Sequence, residues 1–414
     1  MLPLYLTSTF YNNFDKKTKR AFLKYFLKVI KSNGVGRQKR KRLRREIRKS
    51  IKKKSKRSLA NECTVGNITQ VTISDDTFPF DYDDITQFNC CLSATTVKNN
   101  LDSITGKVDE EEYLKIVLSK LKEAYAGNTA IPENQVQLLG PASRVATTVD
   151  INRWNVTKID TLSALMDSAN GQWDLSLARA IITKYLSTEK NKLGSAELNV
   201  IGGVNLCSLD TDVLKSISHE SLKDASALTV SNCTTEKKKE LFTIAIQAFV
   251  ENTRTTTISD SNYQLLQPYI GGANSEFVRT LAASNINMDM ATFISLDENV
   301  VMGLNVNEVK NLLGTNLPDL KSYESQTLVQ SWIRNQFQSE LDKLGLGLVG
   351  GKADPPATTK SPAATSKSPA ATSKSPTSTT TKAPAGNHGN HIRADAGFSF
   401  LVLLALLFTS QHVL

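Results

Sequence analysis

Along residues 58–351 the apolar positions recur with a helical period. Glu110–Tyr125 places Tyr113, Val117, Leu118, Leu121 and Tyr125 on one face. Asp174–Leu186 does the same with Leu175, Leu177, Ala178, Ile181, Ile182 and Leu186. Lys238–Val250 carries Leu241, Phe242, Ile244, Ala245 and Phe249, and Ser325–Leu344, the longest, carries Leu328, Trp332, Ile333, Phe337, Leu341 and Leu344. Stripes of this kind are core faces rather than cofactor contacts. Helix starts are marked by Asp109-Glu110-Glu111, Ser275-Glu276 and Asn307-Glu308, whose carboxylates face the positive end of the helix dipole. Stops are marked by glycine in Leu138-Leu139-Gly140-Pro141, Tyr269-Ile270-Gly271-Gly272 and Leu312-Leu313-Gly314. There glycine takes the left-handed conformation, and Pro141 prevents resumption. The pattern predicts an all-α fold, a superhelical array of short helices like an armadillo solenoid, whose neighbours share one core. No exact repeat period is visible, so the array is expected to be degenerate.

The helical pattern stops at both ends of this body. Residues 352–386 are rich in Ser, Thr and Pro and repeat KSPAATS at 360–366 and 367–373, then KSPTSTT at 374–380. Such a composition buries too little apolar area to offset ordering entropy, and predicts a disordered, O-glycosylated stalk. Extended at about 3.1 Å per residue, it reaches on the order of 100 Å. After it, FSFLVLLALLF at 398–408 is eleven uncharged residues, against the roughly 20 that a membrane span needs. A polar spacer (His391, Arg393, Asp395) and the small residues of Ala385-Gly386-Asn387-His388-Gly389 precede it. Small site, polar spacer and short apolar tail predict a removable glycosylphosphatidylinositol signal over 387–414, attached at Asn387, with Gly386 or Ala385 able to serve. A buried terminal helix is the competing reading, but a disordered tract leaves it nothing to pack on.

Charge divides the same way. The chain is +10 overall, but residues 1–57 hold 21 Lys/Arg against Asp15 and Glu46, so they carry +19 and the remainder −9. The stretch 37–57 has 14 basic side chains. A nucleic-acid patch is one reading, yet a lipid-anchor signal argues against it, and no nucleic-acid partner is expected. The other reading is processing: Arg37-Gln-Lys-Arg40 and Lys54-Ser-Lys-Arg57 end in the paired basics that proprotein convertases cut after. Residues 1–57 are therefore expected to be a cleaved basic leader, cut after Arg40 or Arg57. Phe22–Ile30, interrupted by Lys24 and Lys28, reads as a basic amphipathic helix able to lie on an anionic membrane surface. Met1–Phe14 lacks the basic start and continuous apolar stretch of a signal peptide, so further sequence is expected ahead of it.

The five cysteines, 63, 90, 91, 207 and 233, form no C-x-x-C pair, and His219 is the one histidine of the body. A zinc site has almost no ligands, and no metal or cofactor is expected. Two disulfides and one spare thiol fit better, in an oxidising compartment. Cys207 and Cys233 enclose 25 residues, and Cys63 encloses 26 or 27 with Cys90 or Cys91. The sequons Asn67-Ile-Thr, Asn155-Val-Thr and Asn232-Cys-Thr agree with the secretory route. Dinucleotide, P-loop, nucleophile-elbow and zincin motifs are missing. His219 has no evident partner as a base, and Asp109 to Glu112 lack calcium-loop spacing. The expectation is a protein that is not an enzyme.

Several stretches resemble the mesothelin, stereocilin and otoancorin family. They are Arg153-Trp-Asn-Val-Thr157, Leu206-Cys-Ser-Leu209, Gly271-Gly-Ala273, Asn287-Met-Asp-Met-Ala-Thr-Phe293, Val309-Lys-Asn-Leu-Leu-Gly314, and Trp332-Ile333 through Leu341-Asp-Lys-Leu-Gly-Leu-Gly-Leu-Val-Gly-Gly351. The last is the most specific, and together they cover about 58–351 in the family's order. The resemblance implies an α-helical superhelix at the cell surface, GPI-anchored and working in cell–cell or cell–matrix adhesion. Its partner would be a cell-surface or matrix glycoprotein, such as a membrane mucin. It also implies the pairs Cys63–Cys91 and Cys207–Cys233, with Cys90 left over, and glycosylation at Asn155. The match is poorest at 64–125, where such a partner would be met. A different reading is a lectin-like module for mucin glycans, with Trp154 and Trp173 stacking on sugar faces.

Overall fold

A computed structural model describes residues 13–32, 43, 62–128, 130–250 and 258–355. The cleavage candidates Arg40 and Arg57, the stalk repeats and Asn387 with the tail after it lie outside these residues. The body is a succession of short helices, the longest being Thr235–Phe249 at 15 residues. Among the described residues there is no strand, and two isolated parallel bridges join Ile131 to Trp154 and Phe337 to Lys352. The fold is all-α, as the apolar periodicity predicts.

Helices that pack extensively are close in sequence. Glu111–Ala124 lies against Ala94–Thr105 and Gly140–Val145. Thr235–Phe249 lies against His219–Lys223 and Gln267–Gly272, and Ser275–Ala283 against Val306–Leu313. One apolar cluster nonetheless runs from Ile68 to Leu348. Each unit shares its buried face with its neighbours, which is the organisation of a solenoid.

Polar contacts reveal a step that no residue identity repeats. Lys107 Nζ donates to Ile73 O across 34 residues, Tyr113 Oη to Tyr82 O across 31, and Arg153 Nη2 to Tyr125 O across 28. Lys184 Nζ donates to Asn152 O across 32, Lys237 Nζ to Cys207 O across 30, and Trp332 Nε1 to Leu304 O across 28. In each, a later side chain reaches back one unit to a backbone carbonyl. Most of those carbonyls close a helix: Tyr125 caps 111–124, Asn152 ends 148–152 and Cys207 caps 195–206. The last carbonyls of a helix have no intrahelical donor and carry partial negative charge. Short helices expose many such ends, and here cations of the following unit satisfy them. Both disulfides take a similar stride, Cys63–Cys91 over 28 residues and Cys207–Cys233 over 26.

Two sequence expectations need correcting. Ser325–Leu344 is not one helix but two, Thr327–Asn335 and Gln338–Asp342. Gln336 is extended because the returning chain pairs there: Lys352 N–H donates to Gln336 O at 2.7 Å, and Gln338 N–H donates to Lys352 O at 2.9 Å. The second concerns Gly271 and Gly272. Gly314 is left-handed at φ +50°, as expected, but Gly271 and Gly272 have no positive φ. They permit close packing instead, since a Cβ on Gly272 would sit 2.0 Å from Lys238 O and one on Gly271 2.7 Å from Ser295 O.

Candidate functional site

The three sequons share one local design. Asn67, Asn155 and Asn232 are exposed, while the residues after them, Ile68, Val156 and Cys233, turn inward with 2%, 1% and 6% exposure. Each sequon ends where a helix begins. Thr69 is the N-cap of Gln70–Ser74 and Thr234 of Thr235–Phe249, and Thr157 lies one residue before the N-cap Lys158 of Ile159–Met166. The inward side chain anchors the segment, and the helix start holds it extended, so each asparagine amide points to solvent.

Asn232 also lines a groove of about 850 Å³. Its lining also includes residues of helix Leu175–Leu186 and Cys207 and Ser208 at the second disulfide. Asn152, three residues before Asn155, is also part of the lining. Arg179, Lys184 and Lys237 make the lining basic. Their charges are nonetheless committed: Lys184 and Lys237 hold helix-end carbonyls at 3.1 and 2.7 Å, and Arg179 pairs with Asp210. The groove is a seam between two units, lined by a sequon asparagine and by Leu175, which is half exposed. A second groove of about 600 Å³ is lined in part by Phe242, Ile246, Val250, Ile258 and Phe277.

The tryptophans do not present the stacking platform that the lectin reading needs. Trp154 is 1% exposed and Trp173 8%. Trp173 donates its indole N–H to Leu165 O at 2.8 Å, and the Arg144 guanidinium covers its ring at 4.1 Å. Burial lowers the Arg144 pKa to about 10, with Asp167 acting in the opposite direction, so the group stays charged at neutral pH. His219 is exposed at the start of His219–Lys223. No group of three potential metal ligands occurs among the described residues.

The cysteines pair as Cys63–Cys91 and Cys207–Cys233, and Cys90, partly buried, is free. Adjacent helix positions face different ways, so Cys91 turns to the core at 3% exposure while Cys90 does not. Spacing alone does not separate those two residues. Sequence reading also missed the roles of Lys107, Lys184 and Lys237 as caps for a neighbouring unit, because their partners are carbonyls some 30 residues away. No helix among the described residues is long and apolar enough to cross a membrane.

Comparison with known proteins gives a consistent picture. The mesothelin family model matches residues 19–359. The mouse mesothelin-like protein is 30% identical over 342 residues, covering 80% of this chain and 48% of its own length. The human mesothelin-like protein is 30% identical over 364 residues, covering 81% and 50%. Mouse mesothelin is 30% identical over 269 residues, covering 64% and 42%. The chain thus spans about half the length of these relatives.

Proposed function

This chain belongs to the mesothelin family, and from that premise we propose that it is a cell-surface glycoprotein working in adhesion and not an enzyme. Its helical body binds a glycoprotein of another cell or of the matrix, a membrane mucin being the class of partner. The body stands on the Ser/Thr/Pro-rich stalk, held to the outer leaflet by a glycosylphosphatidylinositol attached at Asn387, after cleavage at Arg40 or Arg57.

The observation that carries this reading is the union of three outward-facing sequon asparagines with two cystines that each tie one helical unit to the next. Cystines persist in oxidising compartments, and N-glycans are added on the secretory route. An array of stacked helices offers an extended surface suited to a macromolecular partner.

The test is adhesion of cells expressing the full chain to cells or matrix bearing the partner. Phosphatidylinositol-specific phospholipase should release the protein and abolish the adhesion. Adhesion unchanged after complete release overturns the proposal.

A further inference from the structure

The helix Lys16–Ser32 sits in the stretch that reads as a leader, yet it is built as part of the array. Lys19, Leu23, Phe26 and Leu27 are 6%, 0%, 4% and 5% exposed, while Lys17, Lys24 and Lys28 face solvent. Most helical stability in a protein comes from packing of the amphipathic face, so this buried face has a partner. Arg20, bordering that face, identifies where the partner is. Its guanidinium lies 2.8 Å from Asp81 and 3.7 Å from Asp75, and its Nε donates to Thr77 Oγ1 at 3.3 Å. Asp75 and Thr77 belong to the turn that follows Gln70–Ser74, and Asp81 to the short helix Phe80–Tyr82 after it; Thr77, Phe78 and Phe80 are buried there.

That turn is prepared for a cation. Thr77 donates both its N–H and its hydroxyl to Asp75 at 2.7 Å, fixing the carboxylate from its own side. The segment 75–84 contains five aspartates, set against a strongly basic helix. The family match begins at residue 19, within this helix.

We infer that helix 16–32 is an integral part of the folded body, and that the acidic segment 75–81 keeps holding it after the chain is cut within the basic stretch 37–57. Processing would then yield a two-chain protein joined without a covalent bond, not a body freed of its leader. The biological occasion for this rests on the proposed cleavage, but the docking does not.

The experiment uses the full chain in two arms. In one, a dibasic-specific convertase reports whether Arg40 or Arg57 is cut, which judges the processing reading alone. In the other, limited trypsin digestion opens the basic stretch, and native size-exclusion chromatography with intact-mass analysis follows. A peptide containing 16–32 is expected to co-elute one-to-one with the body and to separate only in denaturant. Arg20→Glu should speed its loss at least tenfold, and Asp75→Arg with Asp81→Arg in that background should restore retention. A folded body eluting without the peptide, or digestion of the helix itself, overturns the inference.

Discussion

Glu133 lies in Pro132-Glu133-Asn134 and reads in sequence as an ordinary first-turn acid for its own helix. In the structure its carboxylate, 9% exposed in the residue as a whole, serves another helix. It accepts from Thr157 N–H at 2.6 Å, Lys158 N–H at 2.8 Å, and the hydroxyls of Thr157 and Thr161 at 3.0 and 3.2 Å. Those donors open Ile159–Met166, whose N-cap, Lys158, offers no side-chain acceptor of its own. Burial raises the Glu133 pKa, but the hydrogen bonds from Thr157, Lys158 and Thr161 outweigh it and hold the value below the ordinary one. A folded value below the unfolded one stabilises at pH above the usual carboxylate range, and that stability disappears as pH falls through the folded value. Glu133→Gln is therefore expected to cost about 2 kcal/mol at pH 7 by urea unfolding. The difference from wild type should shrink below about pH 4. Gly272 makes the complementary point. Gly272→Ala places a methyl 2.0 Å from a backbone carbonyl oxygen that cannot swing aside. A loss of about 3 kcal/mol is expected in the same assay. Neither role was legible in sequence, because each is set by backbone from a distant part of the chain.

At the scale of helices, the periodicity located two elements within a residue or two, although Leu175, placed on the core stripe, is half exposed. Glu110–Tyr125 and Asp174–Leu186 correspond to Glu111–Ala124 and Leu175–Leu186. It failed at Ser325–Leu344, since apolar residues on both sides of Gln336 keep the helical spacing although the chain extends there to meet Lys352. Start signals fared unevenly: Asn305, not Asn307, caps Val306–Leu313, in a reciprocal box with Glu308. Helix ends held by another unit's cation lead to a sharp comparison. Lys107 Nζ reaches three carbonyls, Ile73, Ser74 and Asp75, at 2.6, 3.0 and 2.8 Å. Lys107→Met is expected to cost about 1–2 kcal/mol. Lys215→Met, which removes only an exposed pair with Asp212, should cost under about 0.5 kcal/mol. Equal losses would mean that the long-range caps contribute no more than a surface ion pair.

Across the whole body, the contacts between units span distances from 24 to 34 residues without one fixed step, which is why no repeat showed in the sequence. An array linked only through neighbours opens from its ends or at weak junctions rather than all at once. Hydrogen exchange is expected to show protection graded along the chain, with the strongest amides inside 94–124 and 235–249, beside the two cystines. Reduction of Cys207–Cys233, tested as Cys207→Ser with Cys233→Ser, should lower stability by about 3 kcal/mol. Its effect should concentrate in the 195–249 helices and leave 306–342 little changed.

The stride of the two cystines has a mechanical consequence. Under tension between its ends, a chain of neighbour-linked units lengthens by releasing one unit after another. The loops 63–91 and 207–233 cannot follow, because their ends are covalently joined across 28 and 26 residues. Each withholds roughly 90 Å of extension. Pulled in buffer containing a reductant, single molecules should gain two discrete length steps of that size, and without it none.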